Sequence, residues 1–422
     1  QTLNGLASAS SLFLVAVGLS LIFGVTRIVN FAHGSFYMLG VYVAYSVATA
    51  VGGAVGFWGG VLAAGLAVAA VGLVAEFLIL RRIYDAPELL QLIATFGLVL
   101  IIKDVALAVW GPEDLLGPRA PGFRGAVDIF GKAFPTYDLL LIVLGIVMLV
   151  SLTALLKKTR FGLLLRAATQ DREMTDALGV NQKLLFTAVF ALGSFLAGIG
   201  GALQLPREPA NLAMDLTIIA DVFVVVVVGG LGSLPGAFVA AIIISLVKAW
   251  CIGLGEVTLF GVEFAFSKLT LVAEFIVMAL VLVFKPHGLF GRPLAHAAPS
   301  REALSTLMPV APPGRLTWIA LVVVIAVSTF LPALVSEYSL VLAIDIIVFA
   351  LFAASLGLII GPGGMGSFGH AAYFGLGAYG AALAAAGGYG FVAALVAGVV
   401  LAAAAAILFG WFSVRLSGTY MA

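Results

Sequence analysis

Long apolar runs, separated by short polar, glycine-rich or proline-rich breaks, recur along the whole chain. They fall at about 6–24, 34–52, 58–80, 91–110, 137–156 and 183–204, then as a broken pair at 212–229 and 236–254, then at 264–284, 316–334, 341–360, 370–387 and 391–412. Each is long enough to cross the roughly 30 Å hydrocarbon layer as a helix. None shows the period-two alternation of barrel strands. The pattern predicts an all-α, polytopic transmembrane helical bundle with broken helices.

The basic residues give the orientation. Arg81 and Arg82, the group Lys157, Lys158, Arg160, Arg166 and Arg172, then Lys285, Arg292, Arg301, Arg315 and Arg415 all fall on one side of these spans. That side is expected to be cytoplasmic. The opposite loops carry Arg119, Arg124, Lys132, Arg207 and Lys268, with Glu113, Asp114 and Asp128 among them.

Residues 285–315 are the only long stretch rich in proline, basic and small residues, and they predict a cytoplasmic linker between two membrane modules, 1–284 and 316–422. The modules share a repeat. Shifting by 337 positions sets 19–44 on 356–381, and Leu19, Leu21, Ile22, Gly24, Phe31, His33, Leu39, Gly40, Tyr42 and Ala44 then match their counterparts. Biased composition alone would give roughly two or three matches. Both copies run in the same direction, which implies a parallel duplication about an axis along the membrane normal. If the first module needs all of 1–284, four spans leave the second incomplete, so a longer fused chain is expected. The start at Gln1 suggests trimming before it.

Composition agrees with the pattern and removes other classes. The chain is 63% hydrophobic and 10% charged, with a mean hydropathy of +1.21, well outside the soluble range. The net charge of +1 is scattered among loops and forms no nucleic-acid patch. One cysteine, Cys251, cannot form an intrachain disulfide. The first run lacks the basic flank and cleavage pattern of a signal peptide and reads as a span. Four histidines with no carboxylate or cysteine at ligand spacing predict no metal site. No P-loop motif occurs, so the chain has no P-loop site for ATP of its own.

Two histidines stand in otherwise apolar surroundings. His33 follows the break GVTRIVN and His370 the break GPGGMG. Broken backbone at membrane depth needs protein or a water-filled cavity around it. One reading puts Asn30, Phe31, His33, Ser367, Phe368 and His370 along a translocation pathway. The other has each imidazole hydrogen-bonding freed carbonyls to hold the bend. The stripes Gly40, Ala44, Ala48 and Gly377, Ala381, Ala385 that follow, and Ser194, Gly198, Ala202, predict close helix packing.

Residues 157–183 are too polar to span. Met174, Ala177 and Leu178 share one helical face, Gln170, Asp171, Arg172 and Glu173 supply charge, and Gly162 and Gly179 are breaks. A short helix across the cytoplasmic face could dock a soluble partner or lie on lipid. Further on, Gly229, Gly230, Gly232, Ser233 and Pro235 interrupt a span, as a hinge, a pathway lining or a plain turn.

Taken together, NFAHGSFYMLGVY, RFGLLLRAATQDREMTDALGVN and GGLGSLPGAF, in this order, make residues 1–290 resemble the permeases of the branched-chain amino acid ABC importers, a group that also serves urea and short amides. Residues 316–422, with GPGGMGSFGHAAYFGLGAY and RLSGTYMA, resemble the start of the partner permease. The resemblance implies that 160–180, with Arg166, Gln170, Asp171, Glu173, Ala177 and Gly179, is the coupling helix. It further implies two cytoplasmic ATP-binding cassette ATPase subunits that hold ATP and Mg, a periplasmic binding protein that delivers a small-molecule substrate, and residence in the bacterial inner membrane. The chain itself is then expected to be no enzyme and to hold no cofactor. Two permeases fused in one chain, with no coupling helix in the second, depart from the family pattern. Alternatives from other classes are an ion-coupled secondary transporter, for which Glu76, Asp104, Glu274 and Asp345 are candidate carboxylates, and a passive channel. Within the family, urea, short amides and aromatic or carboxylic acids remain open cargoes.

Overall fold

In the computed structural model, residues 1–84, 86–129, 131–259, 262–291, 314–361 and 369–413 are described. The chain divides into two units, Gln1–His296 and Ala297–Ala422. Ten helices among the described residues are long and apolar enough to cross a membrane, so this is a multi-pass membrane protein.

The first unit is built around α1 (Thr2–Thr26), in which every residue from Ala9 to Phe23 is buried. A helix apolar on all sides belongs inside a bundle. It is surrounded by α5 (Thr136–Lys158), α8 (Gln182–Ala202), α9 (Met214–Gly229) and α10 (Leu234–Leu254). On the far side of α8 lie α2 (Ala32–Val51) and α3 (Gly53–Leu78). Completing the unit are α4 (Glu88–Trp110), which packs on α2, and α11 (Thr270–Phe284), which packs on α9 and α10.

Small residues set these contacts, as the stripes predict. A Cβ on Gly40 would lie 2.4 Å from the Gly198 carbonyl oxygen, and one on Gly201 only 2.1 Å from that of Tyr37. Such spacing lets backbones meet in lipid, where no hydrophobic force drives helices together. Antiparallel hairpins β1 (Ala126–Ile129) with β2 (Lys132–Pro135), and β3 (Glu256–Leu259) with β4 (Val262–Ala265), occupy the loops opposite the basic side. The second hairpin and a 3-10 turn, Phe266–Leu269, take up the start of the expected run 264–284, so α11 begins at Thr270.

Polar residues at helix ends fasten the bundle. Tyr137 donates to the Leu203 carbonyl at 2.6 Å, and Arg207 pairs with Asp138 at 3.3 Å. At the end of α3, buried Glu76 pairs with Arg81 at 3.5 Å and accepts from Tyr84 and Thr187, each at 3.0 Å. This carboxylate is paired one-to-one and enclosed, as a buried charge requires.

The second unit contains α12 (Arg315–Leu334), α13 (Glu337–Ile360), α14 (His370–Ala386) and α15 (Phe391–Ser413). Here α14 meets α15 through Gly398, where a Cβ would lie 2.6 Å from the Gly377 oxygen. Most of the expected linker, 292–313, lies outside the described residues, as do Ser367 and Phe368.

Candidate functional site

Three places carry the candidate residues. The first is the break between α1 and α2. Arg27 ends α1 in the left-handed region, φ 59°. Thr26 Oγ1 donates to the Ile22 carbonyl at 2.9 Å and accepts from Ile28 N–H at 3.2 Å. Asn30 Oδ1 accepts from Ala32 N–H at 3.1 Å, so it closes the turn into α2.

His33 then reaches back, and its Nε2 lies 2.9 Å from the Val15 carbonyl oxygen. A carbonyl only accepts, so Nε2 carries the proton. Val15 lies eleven residues before the end of α1, about 16 Å along the axis. Helix α2 therefore starts deep within the bundle. Gly34 sits against the carbonyl oxygen of Asp215, which a Cβ at this position would approach to 2.2 Å, so the N-termini of α2 and α9 meet there. His33 and Asn30 are buried, while half-buried Phe31 stacks on Phe223 with centroids 6.1 Å apart. Thus His33 is buried inside the unit and hydrogen-bonded to the backbone of α1.

The second copy repeats this geometry. His370 Nε2 lies 2.7 Å from Ser355 Oγ, with its ring 5.1 Å from that of Phe352. Shifted by 337, Val15 becomes Phe352 and Gly18 becomes Ser355. In the first copy the imidazole packs over Gly18, where a Cβ would lie 3.0 Å from Cε1. Each histidine therefore returns to the same turn of the preceding helix, a relation that extends the repeat beyond the stretch matched in sequence.

The second place is the polar segment 157–183. It forms two short helices rather than one, α6 (Arg160–Gln170) and α7 (Arg172–Ala177), divided at Asp171. Asp171 stays extended because its carboxylate caps α7, accepting from Met174 N–H at 2.9 Å. Thr159 caps α6 and Asn181 caps α8 in the same way. Gly162 lies against the Leu156 backbone, and the Arg166 guanidinium donates to the Leu156 carbonyl, so α6 is tied to the end of α5. Leu165, Ala168 and Thr175 face inward. Gln170, Asp171, Ala177 and Gly179 are exposed beside two long apolar side chains, Met174 at 60% and Leu178 at 76%. Glu173 lies on α7.

The third place is the break after α9. Gly229 abuts Gly236, Gly230 and Gly232 adopt φ 97° and 80°, and Ser233 caps α10 by accepting from Gly236 N–H at 3.2 Å. Positive φ explains the glycines at 230 and 232. Sequence reasoning missed what covers this break. Residues 285–291, read as the start of the linker, fold back on it. Leu289 N–H donates to the Val228 carbonyl at 2.8 Å and Phe290 N–H to that of Gly229 at 3.1 Å. The last carbonyls of a helix have no partners within it, and this strap supplies them. The apolar pair Leu289 and Phe290 within the proline- and glycine-containing stretch KPHGLFG was the available signal.

Of the carboxylates weighed for ion coupling, Glu76 is locked in the pair above, and Asp104 and Asp345 are exposed. Glu274 meets Lys248, a residue sequence reasoning passed over.

The bundle, with the N-termini of α2 and α9 meeting inside it and a capped helix pair at one end, is that of a multi-pass helical membrane protein. Residues 1–285 match the family model described as the permease component of branched-chain amino acid transport systems, and the chain belongs to this family. Among its relatives is the high-affinity branched-chain amino acid transport system permease protein BraD of Pseudomonas aeruginosa, 28% identical over 69% of this chain and 95% of the relative. Permease protein LivH of Escherichia coli K12 is 25% identical over 69% and 95%. The probable permease protein LivH of Methanocaldococcus jannaschii is 29% identical over 66% and 88%. No solved structure matches the chain.

Proposed function

We propose that the chain is the translocating subunit of an ABC importer in a bacterial inner membrane. It moves branched-chain or related amino acids, handed over by a periplasmic binding protein, by alternating access. Two ATPase subunits that hold ATP and Mg supply the energy from the cytoplasm, and the chain itself catalyses nothing. The observation that carries this reading is the α6–α7 pair, whose exposed Met174 and Leu178 stand among Gln170 and Asp171 on the unit that matches the family. Two exposed apolar anchors in a polar rim suit a protein partner. The second unit, with its repeat of the His33 turn, is read as part of a fused partner permease.

The test is gentle extraction of the full chain from its native membrane, then mass spectrometry of what remains bound. Stoichiometric P-loop ATPase subunits are expected. Their reproducible absence, with uptake into liposomes driven by an ion gradient alone, would replace this reading by a secondary transporter. Glu274 beside Lys248 is the observation that would favour that alternative.

A further inference from the structure

Helices α9, α10 and α11 each bring one charged side chain to a single point. Lys248 Nζ lies 2.7 Å from Asp221 Oδ2 and 3.2 Å from Glu274 Oε2. Asp221 stands eight residues before the end of α9 and Glu274 ten before the end of α11, about 12 and 15 Å along their axes. Both depths are near the middle of a hydrocarbon layer roughly 30 Å thick. Lys248 lies further along α10, and helical side chains lean toward the N-terminus, which brings its ammonium back to that level.

Two features separate this triad from the enclosed Glu76 pair. Two carboxyl groups share one ammonium here, instead of one. The triad is also open on one side, since the side chains of Lys248 and Asp221 remain 23% and 21% exposed. Charges at this depth do not face lipid; they face protein or a water-filled cavity. The neighbouring open positions on α9 are Leu216, Thr217 and Ala220, two of them small or polar, whereas the outer face of α11 carries Leu271, Leu280 and Val283.

We propose that this open edge of α9, with Asp221, Lys248 and Glu274, is a wall of the water-filled pathway and the station that holds a zwitterionic α-amino acid in transit. The cargo's ammonium replaces Lys248 on the carboxylates, and its carboxylate takes the freed Lys248. A bare carboxylic acid brings no ammonium for the two carboxyl groups, and a neutral amide or urea cannot exchange both partners. The cargo part of this inference rests on the importer reading above; the wall does not.

The experiment uses the full chain with its ATPase and binding-protein partners in proteoliposomes, with Cys251→Ser as background. A cationic methanethiosulfonate reagent should modify Ala220→Cys about tenfold faster or more than Leu280→Cys, which faces lipid. Equal rates would overturn the wall. Asp221→Asn and Glu274→Gln each leave one carboxylate for Lys248, so the helices keep a balanced pair. Each should lower the initial rate of leucine uptake about tenfold while stimulation of the ATPase by loaded binding protein persists. Unchanged leucine uptake in both variants would overturn the station. A wild-type complex that takes up no leucine would remove the importer's amino-acid cargo and the station with it, while the thiol rates still decide the wall.

Discussion

Helices α2 and α14 share a motif and a turn but not an environment. On α2 every residue from Ala32 to Tyr42 is buried, against α8, α3 and α9. On α14 only Gly380 is fully buried. Both histidines reach back to the preceding helix, so that local geometry belongs to the motif. What surrounds it depends on distant helices. In the first unit α8 and α9 begin 149 and 181 residues after His33, and the described part of the second unit has no counterpart to them. The short-range bend and the long-range packing are therefore separate layers of one design.

The largest expected effect breaks the comparison at its packing. Gly40→Ala forces a Cβ to 2.4 Å from a backbone oxygen of α8, and overpacking of this kind costs about 1–3 kcal/mol. At the equivalent Gly377 the nearest atom is 3.6 Å away, so Gly377→Ala should be neutral or, through helix propensity, stabilising by up to ~1 kcal/mol. Thermal unfolding in detergent would show it, and equal shifts would contradict the separation of layers.

Next comes the α6–α7 pair, found only in the first unit among the described residues. Asp171→Lys removes a cap of about 1 kcal/mol and reverses a charge beside Met174. Reversal at Asp171 or Glu173 should abolish uptake with membrane insertion intact. Asp171→Asn, which keeps a capping oxygen, separates helix loss from docking loss. ATPase stimulation unaltered in the Asp171→Lys complex would contradict docking there.

A smaller difference is expected at the histidines. His33→Ala leaves a buried carbonyl with one partner fewer and should destabilise by about 1–3 kcal/mol. His370→Ala, on an exposed helix, should stay within about 0.5 kcal/mol. Uptake lost from His33→Ala at unchanged stability would instead favour the pathway reading of Asn30, Phe31 and His33. Smallest of all, Tyr137→Phe should lose about 1 kcal/mol of thermal stability through its bond to Leu203, with uptake retained.

Local patterns were legible because their causes are local. Apolar run lengths gave the helices, and the glycine stripe Gly40, Ala44, Ala48 announced close packing that Gly198, Gly60 and Gly56 complete. The division of 157–183 into two helices was less legible, since Asp171 reads as one charge among several until its carboxylate is seen on the Met174 N–H. The strap 285–291 left only the apolar pair Leu289 and Phe290 as a signal, and of the triad only Glu274 stood out. A hydrogen bond from Leu289 to Val228 spans 61 residues, and in sequence Lys248 is a lone cation within an apolar run.

By itself, the sequence determined an all-α membrane bundle, an expected sidedness, a duplicated histidine turn and a resemblance to a permease family. These follow from hydrophobic length, basic-residue asymmetry and short-range spacing, which act within one helix or one turn. Only the tertiary structure decided that His33 is buried while His370 is not, that the strap closes the α9 break, and that Asp221, Lys248 and Glu274 share one charged point. Each of these depends on which helices meet, and in a membrane that is set by surface shape and paired polar groups rather than by hydrophobicity, which every helix has alike.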